Sequence, residues 1–316
     1  MLAMNKQRNI ILTITLAGLI LMAFSLAYFT ADESRQEIDL EYFRIEDTEK
    51  INEVKFHSLK GDIALQYENG RWRVNGVWDA DVQMIKVLFA TLRQIQPRRP
   101  VAATLIDSVT RRLSYNGTRV TLFATGEKRM SFLAGGNQDK TETWFQKDGD
   151  LQPFVMIVPG YRVYAAGIFE LDSNGWRDKR VFNFNWRNFR SLKVKYPKES
   201  KSDFEVEMKG TYFGIKNMMQ SDTTRLNDFL DAVSLLFADR FAVPGKPDAD
   251  SLALVEPLAH FEITDVANRS YTLDILQPGK KDTEVYGRLS DGELVLFTKN
   301  KIGTIVRRRD YFVLKE

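Results

Sequence analysis

Cysteine is absent from this 316-residue chain, and histidine occurs only twice. Without a thiol there can be no disulfide, no thiolate zinc site, no cysteine nucleophile and no lipobox for lipid attachment. His57 and His260 each stand alone in a strand-like context, without a partner at metal-ligand spacing, and read as ordinary structural histidines. No G-x-S-x-G nucleophile elbow occurs. Gly245-Lys246-Pro247 lacks the upstream glycine and the following Ser or Thr of a phosphate loop, and Pro247 would break the helix such a loop opens. A charge bias is missing as well. With 45 basic residues against 42 acidic ones, bulk charge selects no class of partner. The expectation is therefore a non-enzymatic protein with no catalytic, cofactor-binding or metal-ligating residues and no cofactor.

What the chain does have is one long apolar run. Residues 10–29, IILTITLAGLILMAFSLAYF, carry no charge. As a helix of about 1.5 Å rise per residue they reach roughly 30 Å, the thickness of a bilayer's hydrocarbon core. Lys6 and Arg8 precede the run and Asp32 and Glu33 follow it. Basic flanks stay inside, which predicts a cytoplasmic N-terminus (1–9), a single transmembrane helix (10–29) and an extracytoplasmic remainder. A cleaved signal peptide is the competing reading, with Ser25-Leu26-Ala27 as its cleavage site, but its apolar core is usually only about 7–15 residues. Ala23 and Ala27 form a small-xxx-small pair that is too weak a signal for helix pairing. The expected location is the cytoplasmic membrane, with the lipid bilayer a partner through residues 10–29.

Residues 30–50 are polar and without strong periodicity, and read as a stalk. From Ile51 a strand-like pattern begins. Val54/Phe56 and Ile63/Leu65/Tyr67 alternate, and Asn69-Gly70 turns the chain into Trp72/Val74. Then Val82, Ile85, Phe89, Leu92 and Ile95 share one helical face, with Asp79 or Asp81 to cap its start and Pro97 to end it. After a short segment around Asp107-Ser108, strands resume at Val120/Leu122, Met130/Phe132, Trp144 and from Phe154 to Val158.

The same events recur further on. Leu226, Phe229, Val233 and Leu236 each lie 144 places after Val82, Ile85, Phe89 and Leu92. Phe204/Val206/Met208 lie 141 after Ile63/Leu65/Tyr67, and Gly292 lies 143 after Gly149. Arg177-Asp178 and Arg309-Asp310 close the two stretches at an offset of 132, so the first carries extra residues around 168–175. A near-constant offset across strands, helix and turns points to an internal repeat. The predicted fold class is α+β: after the transmembrane helix, two tandem similar units at 51–188 and 189–316, each an antiparallel sheet with one main packed helix.

Several of these residues carry a resemblance: Gly70-x-Trp72-x-Val74 before an aspartate and an apolar helix, Gly126…Phe132-x-x-Gly135, Leu254-x-x-Pro257, and Asp291-Gly292 before Val295-x-Phe297. Together with Arg177-Asp178-Lys179 between the copies, they resemble the bacterial domain of unknown function 4340 from about Ile51 onward. Asn116 stands in the first copy where the second has Pro257, and Tyr212 in the second where the first has Trp72. The resemblance implies a membrane-anchored protein in the setting of gliding-motility-type ABC transporters and their auxiliary subunits. It implies no catalytic residue.

The remaining polar clusters have structural readings. Asp79/Asp81 and Asp248/Asp250 precede helical segments and suit N-caps. Arg98-Arg99, Arg111-Arg112 and Arg307-Arg308-Arg309 suit solvated surface, or contact with lipid headgroups or an acidic partner, and nucleic acid is not expected. Arg177-Asp178 and Arg309-Asp310 suit ion pairs tying the end of each copy. Trp72, Trp78, Trp144, Trp176 and Trp186 suit core positions rather than a sugar cleft. Asn116-Gly117-Thr118 and Asn268-Arg269-Ser270 read as turns rather than glycosylation sites. Two functions fit: a non-catalytic accessory or scaffold protein of a cell-envelope complex, with a protein partner, or a ligand-binding sensory module for a glycan or lipid.

Overall fold

A computed structural model describes residues 15–23, 25, 38–182, 186–242, 251–252, 254–279 and 282–314. Half of the expected membrane span, 10–14, 24 and 26–29, falls outside them. Residues 15–23 and 25 are helical and exposed, and no helix among the described residues is long and apolar enough to cross a membrane. Contacts group the chain into two units, residues 1–62 with 87–170 and residues 63–86 with 171–316. This division interleaves stretches of chain where the sequence reading set consecutive boundaries.

The first unit is an antiparallel sheet of β1 (Glu53–Ser58), β6 (Thr118–Ala124), β7 (Glu127–Gly136), β8 (Thr143–Lys147), β9 (Phe154–Ile157) and β5 (Gln96–Pro100), in that order. Along β1 and β6 inward residues alternate with outward ones, and Val54, Phe56, Val120 and Leu122 are all buried. β5 carries Pro97 and Pro100, which lack an N–H, and it lies at the end of the order where a missing ladder bond costs least. Helix α1 (Val82–Gln94) starts at Asp81, whose side chain accepts from the N–H groups of Gln83 (2.7 Å) and Met84 (3.2 Å). Ile85, Leu88, Leu92 and Ile95 form its buried face, whereas Val82, expected there, is exposed in the first turn. Asp79 caps nothing and instead pairs with Arg71 and Arg73.

Two findings depart from the expected layout. A second helix, α2 (Ile106–Asn116), follows a 3-10 turn and lays Val109 and Leu113 against β7 and β8, so the first copy has more than one packed helix. The expected stalk, moreover, enters the core. Phe43 is fully buried, its ring 5.5 Å from Phe145 and 6.0 Å from Phe132, and those two stack at 4.7 Å. Burying such a side chain contributes roughly 1.5–3 kcal/mol, enough to dock a segment that is otherwise polar. The neighbouring Tyr42 hydroxyl donates to Asp150, and this bond, ahead of burial, pushes the phenol's pKa up to about 12.

The second unit includes the meander β2 (Gly61–Glu68), β3 (Arg71–Val74) and β4 (Trp78–Asp79). Its own sheet is β12 (Tyr212–Ile215), β11 (Phe204–Lys209), β10 (Phe189–Lys195), β14 (Ala259–Asp265), β15 (Ser270–Ile275), β16 (Glu284–Leu289), β17 (Leu294–Thr298) and β13 (Arg240–Phe241), in that order. Taken from β10, the run β10-β14-β15-β16-β17-β13 matches β1-β6-β7-β8-β9-β5 strand for strand in chain position and spatial order. Four-residue helix α3 (Ser173–Trp176) precedes this sheet, and α4 (Thr223–Ser234) packs on it. Asp222 caps α4 by accepting from the Arg225 N–H, and Leu226, Phe229, Val233 and Leu236 are buried as their spacing predicts. Helix α5 (Lys299–Ile305) follows β17 and buries Ile302 and Ile305. Phe204, Phe229 and Phe312 meet at 5.1–5.6 Å in this core.

Candidate functional site

The first unit carries an open polar cleft of about 320 Å³. Four short elements build it. The turn after β1 supplies Lys60, α2 supplies Arg112, the turn from β7 to β8 supplies Lys140, and the 3-10 turn Ala165–Glu170 with the residue before it supplies Glu170 and Tyr164.

Each side chain is placed by local chemistry. Arg112 lies beside the buried Val109 and Leu113 on α2, and its Nε donates to the Gly136 carbonyl at 2.8 Å. Helix α2 stops at Gly117, where a Cβ would come within 2.4 Å of the Leu113 carbonyl oxygen. Asn137 shapes the next turn, since its Oδ1 accepts from the N–H groups of Thr141 (2.8 Å) and Glu142 (2.9 Å). Lys140 rides on that turn, its Nζ donating to Glu170 Oε2 at 2.8 Å and lying 5.6 Å from the Tyr164 ring centre. Phe169, fully buried against Phe145, anchors the turn so that the next residue, Glu170, faces the opening. Lys60 Nζ donates to the Glu170 backbone carbonyl at 2.8 Å.

Gly136 is the floor. A Cβ there would lie 2.2 Å from the Glu142 carbonyl and 2.4 Å from the Tyr164 ring, so only glycine lets that ring lie against β7. The Tyr164 hydroxyl donates to Glu170 Oε1. Burial first, and then that bond, raise its pKa well above the ordinary phenol, so Tyr164 remains a donor at any physiological pH. Both Glu170 oxygens are thus engaged. Ser58 Oγ is used inside its own turn, accepting from the Lys60 N–H. Three cationic side chains surround one carboxylate, an excess of positive charge at a concave surface. An anion about 4 Å from one of these cations gains on the order of 1–4 kcal/mol at effective dielectric constants between those of water and protein surface.

The residues weighed in the sequence scatter elsewhere. His57 pairs with Asp62, and His260 lies 2.6 Å from Asp274, each with a carboxylate of its own unit. Arg288 also pairs with Asp274, and although burial works to raise that carboxyl's pKa, the bonds from His260 and Arg288 outweigh it and hold it low. Among the described residues, no group of three or more His, Asp or Glu is placed to hold a metal ion. Gly245-Lys246-Pro247, Asp248 and Asp250 lie outside the described residues, as does the Trp186 side chain. Trp144 packs on α2, Trp176 is fully buried, and Trp72 lies 5.6 Å from Tyr67. Arg99 pairs with Glu142, Arg308 with Glu199, and Arg309 donates to the Asn217 carbonyl.

The expected pairing of Arg177 with Asp178 is corrected. The Arg177 guanidinium lies between the Trp78 ring (4.3 Å) and the Phe241 ring (3.6 Å) and makes a two-pronged pair with Glu293, while Asp178 pairs with Arg180. Adjacent side chains on an extended segment point to opposite sides, so neighbours in sequence find different partners. Arg309 likewise bonds backbone carbonyls rather than Asp310.

Lys60, Lys140, Tyr164 and Glu170 were not singled out by sequence. They are spread over more than a hundred positions, on turns with no motif, and of the cleft's cations only Arg112 belonged to a basic cluster visible in the sequence.

No curated protein and no solved structure matches the chain. The sequence profile of the domain of unknown function DUF4340 matches residues 72–274, well over half of the chain and parts of both units. The match runs across the strands and helices from β3 to β15, which share one strand order in the two sheets, and by it the chain belongs to the DUF4340 family.

Proposed function

We propose that this is a single-pass membrane-anchored, non-catalytic accessory or scaffold protein of a cell-envelope complex, of the kind that accompanies ABC transporters, with its folded part outside the cytoplasmic membrane. Residues 10–29 support the anchor, because an uncharged run of that length is favourable only in lipid and Lys6 and Arg8 hold its N-terminal flank inside. The observation that carries the non-catalytic reading is the state of the cleft. Its carboxylate has both oxygens hydrogen-bonded and its tyrosine spends its O–H on that carboxylate, which supports a lining that holds a ligand over one that attacks it.

Alkaline carbonate extraction of membranes from cells expressing the full chain tests the anchor. The protein is expected to stay with the membrane pellet, a chain lacking residues 1–29 to become soluble, and protease added outside spheroplasts to digest the folded part. Release of the full chain by carbonate, or protection from external protease, overturns the reading. A second reading, a ligand-binding module in the same location, is favoured by the cleft itself.

A further inference from the structure

The polar cleft of the first unit has hydrogen-bonding capacity that its own chain does not use. The side chains of Asn116 and Gln138, both exposed on its rim, make no hydrogen bond with the described residues, and the two terminal nitrogens of Arg112 make none either. Lys60 and Lys140 reach inward from opposite turns. Leu59 is the only aliphatic side chain larger than a methyl group in the lining, and the remaining apolar surface belongs to the Tyr164 ring and the stems of long polar side chains, which suits the faces of a sugar ring. Its volume of about 320 Å³ is at the small end for ligand sites, the size of one or two sugar rings.

We propose that this cleft binds an acidic saccharide unit, with the ligand's carboxylate or phosphate held by Lys60, Arg112 and Lys140 and its hydroxyls by Asn116 and Gln138. This rests on the ligand-binding reading above and names its ligand class. The planar Arg112 fork matches a carboxylate or phosphate in two-pronged fashion, and the two lysines supply charge without demanding one geometry. Neutral amides both donate and accept, which suits hydroxyl groups. Glu170 has two roles. It positions Lys140 and Tyr164, and its negative charge limits how tightly an anion is held.

That second role gives a test with effects of opposite sign. Purified full-length protein in a non-ionic detergent and phosphate-free buffer would be titrated by calorimetry with glucuronate, glucose 6-phosphate, glucose and inorganic phosphate. One of the two acidic sugars should bind at least tenfold more tightly than glucose, and the better one tells carboxylate from phosphate. Lys60→Gln combined with Lys140→Gln should weaken that binding at least tenfold, whereas Glu170→Gln should tighten it several-fold, all with the thermal midpoint unchanged. If the double variant does not fold, Lys140→Gln alone serves, because that side chain is 62% exposed. Equal binding of glucose and the acidic sugars overturns the acidic assignment while leaving a ligand-binding module standing. Inorganic phosphate binding as tightly as either sugar overturns the saccharide assignment. Failure of all four probes to bind, or binding indifferent to the lysine variants, overturns the proposal, and none of these results touches the carbonate-extraction test of the anchor.

Discussion

The two sheets share a strand order but use their charged residues differently. In the second unit polar groups close on one another: Arg177 on Glu293 between two aromatic rings, Arg288 and His260 on Asp274, Lys301 on Asp239. In the first unit, Lys60, Arg112 and Lys140 stand half-solvated around an opening with one carboxylate among them. The segment after the last long strand shows the contrast in miniature. After β17 it is helix α5, turning Ile302 and Ile305 into the core, and after β9 it is a 3-10 turn that ends by presenting Glu170 to the cleft. One β-scaffold can therefore gather cationic side chains around a cleft in one copy and pair them off in the other through a few residues in its connections, where side chains are free of the packing that constrains the strands.

The contrast can be broken most severely from the first unit's aromatic core. Phe43→Ala should cost about 3–5 kcal/mol, read as a lowered midpoint of urea unfolding, because a fully buried ring leaves a cavity between Phe132 and Phe145. A loss within ±0.5 kcal/mol would mean that the segment is only draped on the surface. In the second unit, Arg177→Met should cost roughly 3 kcal/mol, since it strands the largely buried Glu293 carboxylate while keeping most of the apolar contact with Trp78 and Phe241. Gly136→Ala, of intermediate size, should cost about 1–3 kcal/mol and change the near-ultraviolet dichroism as Tyr164 is pushed off β7.

A pH scan tests the second unit's ion pairs directly. Asp274 and Asp239 have folded-state pKa values below the ordinary carboxylate: in each, burial works to raise the value and is outweighed by bonds from His260 and Arg288 in one case, and from Lys301 and Thr298 in the other. A depressed folded pKa contributes stability that is fully present above the unfolded value, near 4, and is lost as pH falls through the folded one. Thermal midpoints should therefore drop below about pH 4, and Asp274→Asn should flatten that drop while lowering stability at pH 7. A scan in which the variant and the parent fall in parallel would remove Asp274 from the account. The smallest effect belongs to Asp47→Ala, which breaks an exposed pair with Lys50 and should shift stability by less than about 0.5 kcal/mol.

What could be read from the chain followed from periodicity. The α4 stripe Leu226/Phe229/Val233/Leu236 is buried as its spacing predicts, because an element that covers a sheet must repeat apolar residues at the helical period. Asp81 was legible as a cap for a similar reason, since an N-cap acts within three residues of itself. Phe43 was not legible, because one aromatic residue in a polar stretch has no period. Helix α2 was missed for want of a stripe longer than Val109 and Leu113, and Arg177 was paired with its sequence neighbour because Glu293 lies 116 positions away.

The sequence alone determined the α+β class, the two main packed helices, the absence of any thiol chemistry and the family, since each depends on residue type or on spacing within one element. The cleft, the aromatic clamp on Arg177 and the burial of Phe43 were decided only in the tertiary structure. Each joins side chains from turns or strands far apart in the chain, and long-range pairing leaves no local pattern from which it could be inferred. The apolar run at 10–29 was the plainest feature of the sequence, and the membrane location proposed for this module rests on it. What it could hold is written in the turns of the first unit.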